Sequence, residues 1–231
     1  KADQWNGCYD SGWQGEITSE SFSHPAKFSR ALIRRIYEHT FVEGWMVPGD
    51  TVIDPFGGVA LGALDAMWKG LNWVGVELEP KFVALGEQNL AFWQRKYGSK
   101  ERWGSARIIQ GDSRKLAEIV GAADLICSSP PYSERHAYSD DRTIQAVEKL
   151  KSKPGSKIGG VRIHDNVGSS FGQLAQESGD TFWSAARLIV EQCYQLLPSG
   201  GHACWVVKDF VRNKQRVDFT GDWRRLCEAV G

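Results

Sequence analysis

Short apolar runs rich in valine and isoleucine alternate along the chain with longer segments whose apolar residues recur at helical spacing. The short runs, taken with the loops that follow them, are predicted strands at 51–58, 72–80, 106–113, 123–132 and 202–210. The longer segments are predicted helices at 25–39, 60–70, 81–98, 114–121 and 182–197. Because strands that alternate with helices pair in parallel, this order predicts an α/β fold, a doubly wound and mostly parallel sheet.

The alternation stops between residues 133 and 181, where Ser, Gly and Asp are frequent and periodicity is weak. We interpret this segment as an insertion within a single domain covering residues 1–231. Such a long insertion in a compact domain is either a solvated, variable loop or a loop that contacts substrate. Lys151, Lys153 and Lys157 lie here in a stretch without acidic residues, which is typical of a phosphate contact or of a solvated face.

Composition narrows the classes of protein to consider. The 28 basic and 28 acidic residues balance, so net charge gives no push toward nucleic acid or a membrane. Five cysteines without a CxxC pair predict a reduced, cytoplasmic protein that has neither a disulfide framework nor a zinc site. The sequence shows no apolar run of membrane-spanning length and no signal peptide. Since it starts without Met and stops in a helix-like run, we expect residues to be missing at both ends.

Conspicuous residues stand at the carboxyl ends of four predicted strands. In chain order these ends are Asp54-Pro55-Phe56-Gly57-Gly58, then Glu77, then Asp112, then Ser129-Pro130-Pro131-Tyr132. Ligands of doubly wound sheets bind at this edge, so we expect the four ends to form one rim. A single acidic residue or glycine pair would be an ordinary cap or turn, but four such ends in register indicate a binding site.

The residue types at this rim fit a nucleoside. Gly57 and Gly58 allow a ligand to approach the backbone closely. Glu77 follows them at about the spacing of 20 residues that separates the glycine loop from the ribose-binding acid in Rossmann-like sites. Asp112 is then placed to accept from an adenine amine. The loop is not GxGxxG and no Gly-Lys-Ser/Thr cradle follows, so a nucleoside without phosphates, such as S-adenosylmethionine, fits better than a polyphosphate.

Together these motifs resemble those of the amino-methylating DNA methyltransferases, which modify the exocyclic amine of cytosine or adenine. His24-Pro25-Ala26-Lys27-Phe28 is similar to the helix-start motif that packs over the methionine end of the cofactor in that family. The resemblance covers residues 22–132 well and 182–210 loosely, in the permutation with the cofactor half first. It implies a Rossmann-like fold of the methyltransferase type, S-adenosyl-L-methionine as cofactor, and DNA methylation, as in restriction-modification systems.

The resemblance also assigns residues. The implied cofactor-binding residues are Lys27, Phe28, Asp54, Pro55, Phe56, Gly57, Gly58, Glu77 and Asp112. The implied catalytic residues are Ser129, Pro130, Pro131 and Tyr132, and no metal is expected. The Ser129 hydroxyl and the Pro130 carbonyl, held stiff by the proline pair, accept hydrogen bonds from the base amine and localise its lone pair. Tyr132 stacks on the flipped base, and no covalent nucleophile is needed.

Ser129 favours cytosine N4 over adenine N6, because family members with Asp or Asn at that position more often methylate adenine. Two rival interpretations are an RNA or protein-amide methyltransferase and a degenerate module that only binds DNA or a partner subunit. The HPAKF segment argues against the first. Ala60, where the family often has glycine, keeps the second open. His24 and Lys27 also fit a simpler structural interpretation as helix caps.

The expected partner is double-stranded DNA with a flipped target base. Arg212, Lys214 and Arg216 cluster after the last predicted strand and are candidate phosphate contacts, although such a run is also typical of a solvated face. Target recognition is expected to reside in the segment 133–181, in missing residues or in a separate chain.

Overall fold

A five-stranded parallel sheet forms the centre of the computed structural model, in the order β3-β2-β1-β4-β5. The structure describes residues 4–10, 12–24, 27–98, 102–131, 174, 179–212 and 214–231. The strands are β1 (Thr51–Asp54), β2 (Asn72–Glu77), β3 (Ala106–Gln110), β4 (Leu125–Ser128) and β5 (His202–Trp205). The doubly wound, Rossmann-like sheet predicted from the sequence is confirmed.

Helices cover both faces of this sheet. In the described residues they are α1 (Arg30–Val42), α2 (Ala63–Trp68), α3 (Pro80–Tyr97), α4 (Leu116–Ile119), α5 (Gly179–Leu196) and α6 (Phe219–Val230). Helices α1, α2 and α3 pack in one core cluster, and α4, α5 and α6 pack in the other. None of the described helices is both long and apolar enough to cross a membrane.

Consecutive apolar residues occur within the central strands because both faces of these strands are buried. In β1, Val52 packs in the cluster with α1, α2 and α3, whereas Ile53 packs in the opposite cluster. In β4, Leu125 and Ile126 divide between the same two clusters. A parallel strand covered on both faces therefore appears in the sequence as a continuous run rather than as an alternating one.

Helix α3 shows why its predicted limits were accurate. It begins at Pro80, whose fixed φ suits the first turn, and it ends before Gly98, which has a φ of 68°. Its buried positions follow helical spacing at Phe82, Gly86, Asn89 and Trp93. Local capping signals and the apolar stripe therefore agree along this segment.

Helix α1 begins at Arg30, later than the start at Pro25 that the sequence predicts. Ser29 has an extended backbone, with a ψ of 134°, and its hydroxyl donates to the Cys8 carbonyl across 2.6 Å. This tie to the N-terminal segment holds the chain extended just before the helix. The difference therefore comes from a contact distant in sequence.

The predicted strand at 202–210 is too long, because β5 ends at Trp205. A separate antiparallel hairpin follows, made of β6 (Phe210–Arg212) and β7 (Gln215–Val217). The carboxylate of Asp209 stands at the start of this hairpin. It accepts from the backbone N–H of Thr220 near the start of α6 and from Arg216 of β7, so its carboxylate joins the hairpin to α6.

The predicted insertion at 133–181 lies mostly outside the described residues. Its last residues, 179–181, are helical and begin α5, so the insertion was predicted to end too late. Leu174 is buried in the cluster that contains α5. The predicted phosphate contacts Lys151, Lys153 and Lys157 lie outside the described part of the chain.

The polar N-terminal segment packs against the fold, which the sequence did not indicate. Trp13 is buried and Ile17 joins the same core cluster. Between them, the carboxylate of Glu16 pairs with Arg30 at 2.9 Å and with Lys96 at 3.1 Å. The segment therefore bridges α1 and α3 on one face of the sheet.

Asn89 of α3 connects this N-terminal segment to the loop after β1. Its side-chain oxygen accepts from the Thr18 backbone N–H at 3.0 Å and from the Ser21 hydroxyl at 3.1 Å. Its amide nitrogen donates to the Val59 carbonyl at 2.8 Å. Asn89 is fully buried, so water cannot take over these hydrogen bonds if its side chain is removed.

Replacing Asn89 with Ala is expected to lower the free energy of unfolding by about 2 kcal/mol or more, because buried donors and acceptors lose their partner. Urea denaturation followed by tryptophan fluorescence measures this. The neighbouring Gln88→Ala, at an exposed position of the same helix, is the matched control and should change stability by less than about 0.5 kcal/mol. Equal effects of the two changes would contradict the structural role of Asn89.

Candidate functional site

The carboxyl ends of the strands lie at one edge of the sheet, because every neighbouring pair is parallel. Asp54 is the last residue of β1, Glu77 the last of β2 and Ser128 the last of β4. Asp112 follows the end of β3 directly after one glycine. The structure therefore brings the residues predicted at these strand ends to the same edge.

Asp54 joins β1 to β4 through its side chain. Its Oδ1 accepts from the Ser128 hydroxyl at 2.5 Å and from the Phe56 backbone N–H at 3.0 Å. Both Asp54 and Ser128 are buried. Burial raises the pKa of Asp54 to about 6, and the two hydrogen bonds only partly oppose this shift. Asp54 therefore lies beneath the loop that it begins, rather than on its surface.

The glycine loop packs tightly on β2. Gly57 N–H donates to the Val76 carbonyl at 2.9 Å, and a Cβ at Gly57 would lie 3.1 Å from Gly75 Cα. The strand backbone, rather than a ligand, therefore occupies the space that Gly57 leaves open. Gly58 has a φ of 53°, a left-handed conformation that suits glycine.

Ala60 also has a left-handed backbone, with a φ of 64°, and is fully buried. A residue with a Cβ in this conformation costs about 1 kcal/mol. Glycine would adopt it without strain, which is consistent with the glycine that the resembling family often has here. Ser113 supports the same loop, because its hydroxyl donates to the Pro55 carbonyl at 2.6 Å.

The Glu77 carboxylate holds the glycine loop and can still accept further hydrogen bonds. Its Oε2 accepts from Gly58 N–H and its Oε1 from Glu79 N–H, each at 2.9 Å. Burial raises the pKa of Glu77 to about 7, against these two hydrogen bonds, which favour the charged form. A carboxylate oxygen has two lone pairs, so each oxygen can accept one further hydrogen bond, for example from a vicinal diol.

Asp112 is engaged by a neighbouring cation. The guanidinium of Arg114 donates to Oδ1 at 3.0 Å and to Oδ2 at 2.6 Å. Partial burial raises the pKa of Asp112, but the hydrogen bonds from Arg114 outweigh burial, and the net shift is downward. A ligand amine that bonds Asp112 must therefore share or displace Arg114, a contact that was not predicted from the sequence.

The segment upstream of α1 has mixed roles. Lys27 Nζ donates to the Phe22 carbonyl at 3.1 Å and to the His24 carbonyl, so this side chain caps the 3₁₀ turn at Glu20–Ser23. The carbonyl of Phe28 accepts from a buried tryptophan. The contacts of Lys27 therefore agree with the simpler interpretation, in which this side chain acts as a cap.

His24 lies against the glycine loop. Its ring packs edge-to-face on Phe82, with centroids 4.3 Å apart. A Cβ at Gly58 would lie 3.3 Å from His24 Nε2. Pro25 and Ala26 of the same motif lie outside the described residues. His24 of the HPAKF motif therefore lies beside the glycine loop, and Phe28 packs against the core cluster that includes Val59 and Ala60.

The serine loop starts where the β4–β5 ladder stops. Val206 N–H donates to the Ser128 carbonyl at 2.8 Å, just before the proline pair. Beyond it, Ser129 is partly exposed and Pro130 is buried. The predicted stacking residue Tyr132 lies outside the described part of the chain.

The cations of the hairpin do not share one face. Arg216 stands opposite Val211 on β6, whereas Arg212 stands opposite Gln215 on the other face. Arg216 also pairs with the carboxylate at the start of the hairpin at 2.5 Å. Lys214 occupies the turn with a φ of 61°. Their use as a single phosphate-binding patch therefore stays a prediction.

Sequence reasoning missed Ser128 and Arg114. Ser128 was overlooked because the adjacent Ser129 matches the motif. The sequence does not show which of two consecutive serines is buried. Arg114 stands two residues after Asp112, a spacing at which a side chain can reach back, so that signal was present. Within the described residues, no cluster of His, Cys, Asp and Glu is arranged to hold a metal ion.

Comparisons with known proteins give structural likeness without sequence relatives. No protein-family model matches the chain, and no curated protein is significantly similar to it. Solved structures with a similar fold include a SAM-dependent methyltransferase from Agrobacterium tumefaciens, with a TM-score of 0.49 at 14% identity, aligned over 88% of this chain and 50% of that one. They also include TrmN from Thermus thermophilus, with a TM-score of 0.47 at 14% sequence identity. That alignment covers 82% of this chain and 47% of TrmN.

The chain thus spans about half the length of these two structures, at 50% and 47%. At such identities and TM-scores the likeness carries no argument about activity. Function must therefore be argued from the site residues.

Replacing Asp54 with Asn should change how stability depends on pH. The pKa of Asp54 rises from 3.8 to about 6 on folding, so the folded state holds this proton more tightly. Raising the pH through that window therefore destabilises the wild type relative to Asp54→Asn, by about 3 kcal/mol. Urea unfolding at several pH values measures the difference. The exposed Asp10→Asn is the control, and parallel curves for wild type and Asp54→Asn would contradict the assignment.

Proposed function

We propose that the protein is an S-adenosyl-L-methionine-dependent methyltransferase that acts on an exocyclic amine of a DNA base, cytosine N4 foremost. The observation that carries the proposal is the convergence of four strand ends at one edge of the sheet. These ends supply a glycine loop, a carboxylate that can take a diol, a second carboxylate and a serine-proline loop. Each of them has a role in transferring a methyl group from a nucleoside donor to an amine.

The residues at the edge fit such a nucleoside. Glu77 keeps one lone pair on each oxygen for ribose hydroxyls, and Gly58 N–H already orients the carboxylate. His24 and Phe82 form an aromatic pair beside the same loop. Asp112 offers a carboxylate to an adenine amine if Arg114 gives way. When bound, S-adenosyl-L-methionine supplies an electrophilic methyl group.

The serine loop supplies the acceptors that the target amine needs. A base amine is a poor nucleophile because its lone pair is delocalised into the ring. Hydrogen bonds from the amine to Ser129 Oγ and the Pro130 carbonyl favour a tetrahedral nitrogen. Such a nitrogen would accept the methyl group of a bound donor, the electrons of the broken S–C bond would remain on sulfur, and the nitrogen would release a proton to solvent. Fixed acceptors lower the barrier without reorganising in the transition state.

DNA as substrate is supported by where the basic hairpin lies. Strand β5 neighbours β4 in parallel, so residues that follow β5 leave the sheet at the same edge as the serine loop. The hairpin β6–β7 follows there and carries Arg212 and Lys214. In this proposal these two cations contact the phosphates that position a duplex at the serine loop. Ser129 at the first position of the loop favours cytosine.

Incubation with tritiated S-adenosyl-L-methionine and mixed-sequence duplex DNA is expected to label N4-methylcytosine, identified after hydrolysis of the DNA. The matched change Ser129→Ala should lower the rate about 100-fold, because one acceptor of the amine is lost. Label in N6-methyladenine would keep the mechanism and overturn the choice of base. Label in RNA alone, or in no nucleic acid, would overturn DNA as the substrate.

Replacing Glu77 with Gln should weaken binding of S-adenosyl-L-methionine at least tenfold, about 1.4 kcal/mol. Both carboxylate oxygens of Glu77 accept backbone N–H groups, and the glutamine side chain replaces one of these oxygens with an NH₂ donor. The glutamine therefore loses a backbone hydrogen bond and one acceptor for a ribose hydroxyl. Isothermal titration calorimetry measures the dissociation constant. Glu87→Gln, on the exposed face of α3, is the control. A dissociation constant for Glu77→Gln within twofold of the wild-type value would exclude Glu77 as the ribose acid.

A further inference from the structure

One buried hydrogen bond joins the two loops of the candidate site. Ser128 Oγ donates to Asp54 Oδ1 across 2.5 Å, and the same oxygen accepts from Phe56 N–H. The exposed fraction is 0% for Ser128 and 1% for Asp54. Asp54 begins the glycine loop, and Ser128 comes just before the serine-proline loop. A single carboxylate oxygen therefore ties the starts of both loops together.

The serine loop depends on this anchor because its prolines cannot be held by the sheet. Pro130 and Pro131 have no N–H, so neither can donate to a neighbouring strand. The bond from Val206 N–H to the Ser128 carbonyl is the last that the described residues show between β4 and the chain after β5. The direction in which the chain leaves Ser128 therefore sets where Ser129 and Pro130 lie.

Stability alone does not account for the pair. A buried carboxylate is costly, and replacing buried polar pairs with apolar residues is often neutral or stabilising. Among the described residues, no cation pairs with Asp54. The described groups whose pKa is shifted by the charge of Asp54 are acids, on α1, β2, β4 and α5: Tyr37, Glu77, Cys127 and Cys193. An ionisable group kept in these surroundings points to a role beyond folding.

We propose that Asp54 and Ser128 are positioning residues that set the serine loop against the glycine loop. The inference rests on the proposed function, since the loops carry the amine acceptors and the methyl donor. Neither side chain touches the reacting atoms. Their effect acts through Ser129 and Pro130, whose placement must be held tightly, because an error of about 1 Å can cost about 100-fold in rate.

The test measures kcat and the KM for cofactor with duplex DNA. Ser128→Ala should lower kcat about 100-fold while the KM for cofactor changes less than about threefold. Ser128→Thr, which keeps the hydroxyl, should restore kcat to within about tenfold of wild type. The control is Thr40→Val, which removes an equally buried hydroxyl that donates to the Tyr37 carbonyl within α1. It should leave kcat unchanged.

A pH profile separates positioning from simple packing. Burial raises the pKa of Asp54 to about 6, so below that pH the carboxylate is protonated and its bond from Ser128 loses the help of the charge. Asp54→Asn keeps both acceptor contacts but cannot titrate. The ratio of wild-type to Asp54→Asn kcat should therefore fall as the pH drops through about 6. A ratio that does not change with pH would overturn the role of the carboxylate.

A measurement that needs no substrate tests the positioning role of Asp54 and Ser128 separately from the proposed function. Hydrogen exchange at Ser129 should be at least tenfold faster in Ser128→Ala than in wild type, and unchanged in Thr40→Val. Active wild type with normal kcat and normal exchange in Ser128→Ala would overturn the pair alone. Inactive wild type with faster exchange in Ser128→Ala would overturn the proposed function and support Ser128 as the loop anchor.

Discussion

Strand β1 pairs in parallel with β2 on one side and with β4 on the other, and the arrangement of the site depends on this pairing. Parallel strands release their loops at the same edge, so the loop after β1 lies between Glu77 and Ser128. Each of these neighbours holds it by a different contact. Glu77 accepts from Gly58 N–H, and Ser128 donates to Asp54. The central position of β1 thus makes its loop the common support of the neighbouring ends of β2 and β4.

Burial sets the electrostatic character of this edge. The pKa values of Asp54 and Glu77 are raised to about 6 and about 7, each chiefly by loss of solvent. Asp112 differs, because Arg114 more than offsets its burial and lowers its pKa. The edge therefore offers hydrogen-bond acceptors without a dense negative charge, which suits the hydroxyl and amine donors of a nucleoside without phosphates.

The sequence predicted the sheet well because its strands carry their own signals. Apolar runs bounded by glycine and proline located β1 to β5, and Pro80 and Gly98 marked the limits of α3. The start of α1 was wrong because the tie from Ser29 to Cys8 is long-range. The hairpin was missed because its two strands, Phe210–Arg212 and Gln215–Val217, are too short to show a period. Strand ends were likewise predictable, whereas partners such as Asn89 and Ser128 were not, since burial depends on packing.

The contact between Arg114 and Asp112 has a consequence for ligand affinity. The guanidinium is tethered two residues away, so it competes for the carboxylate at a high effective concentration that no free ligand matches. The binding free energy of an amine at Asp112 is therefore reduced by the cost of displacing Arg114. Both side chains are partly exposed, at 26% and 31%, so salt screens their attraction. A neutral amine donor would thus compete better as ionic strength rises, the opposite of the salt response expected for binding to a phosphate backbone.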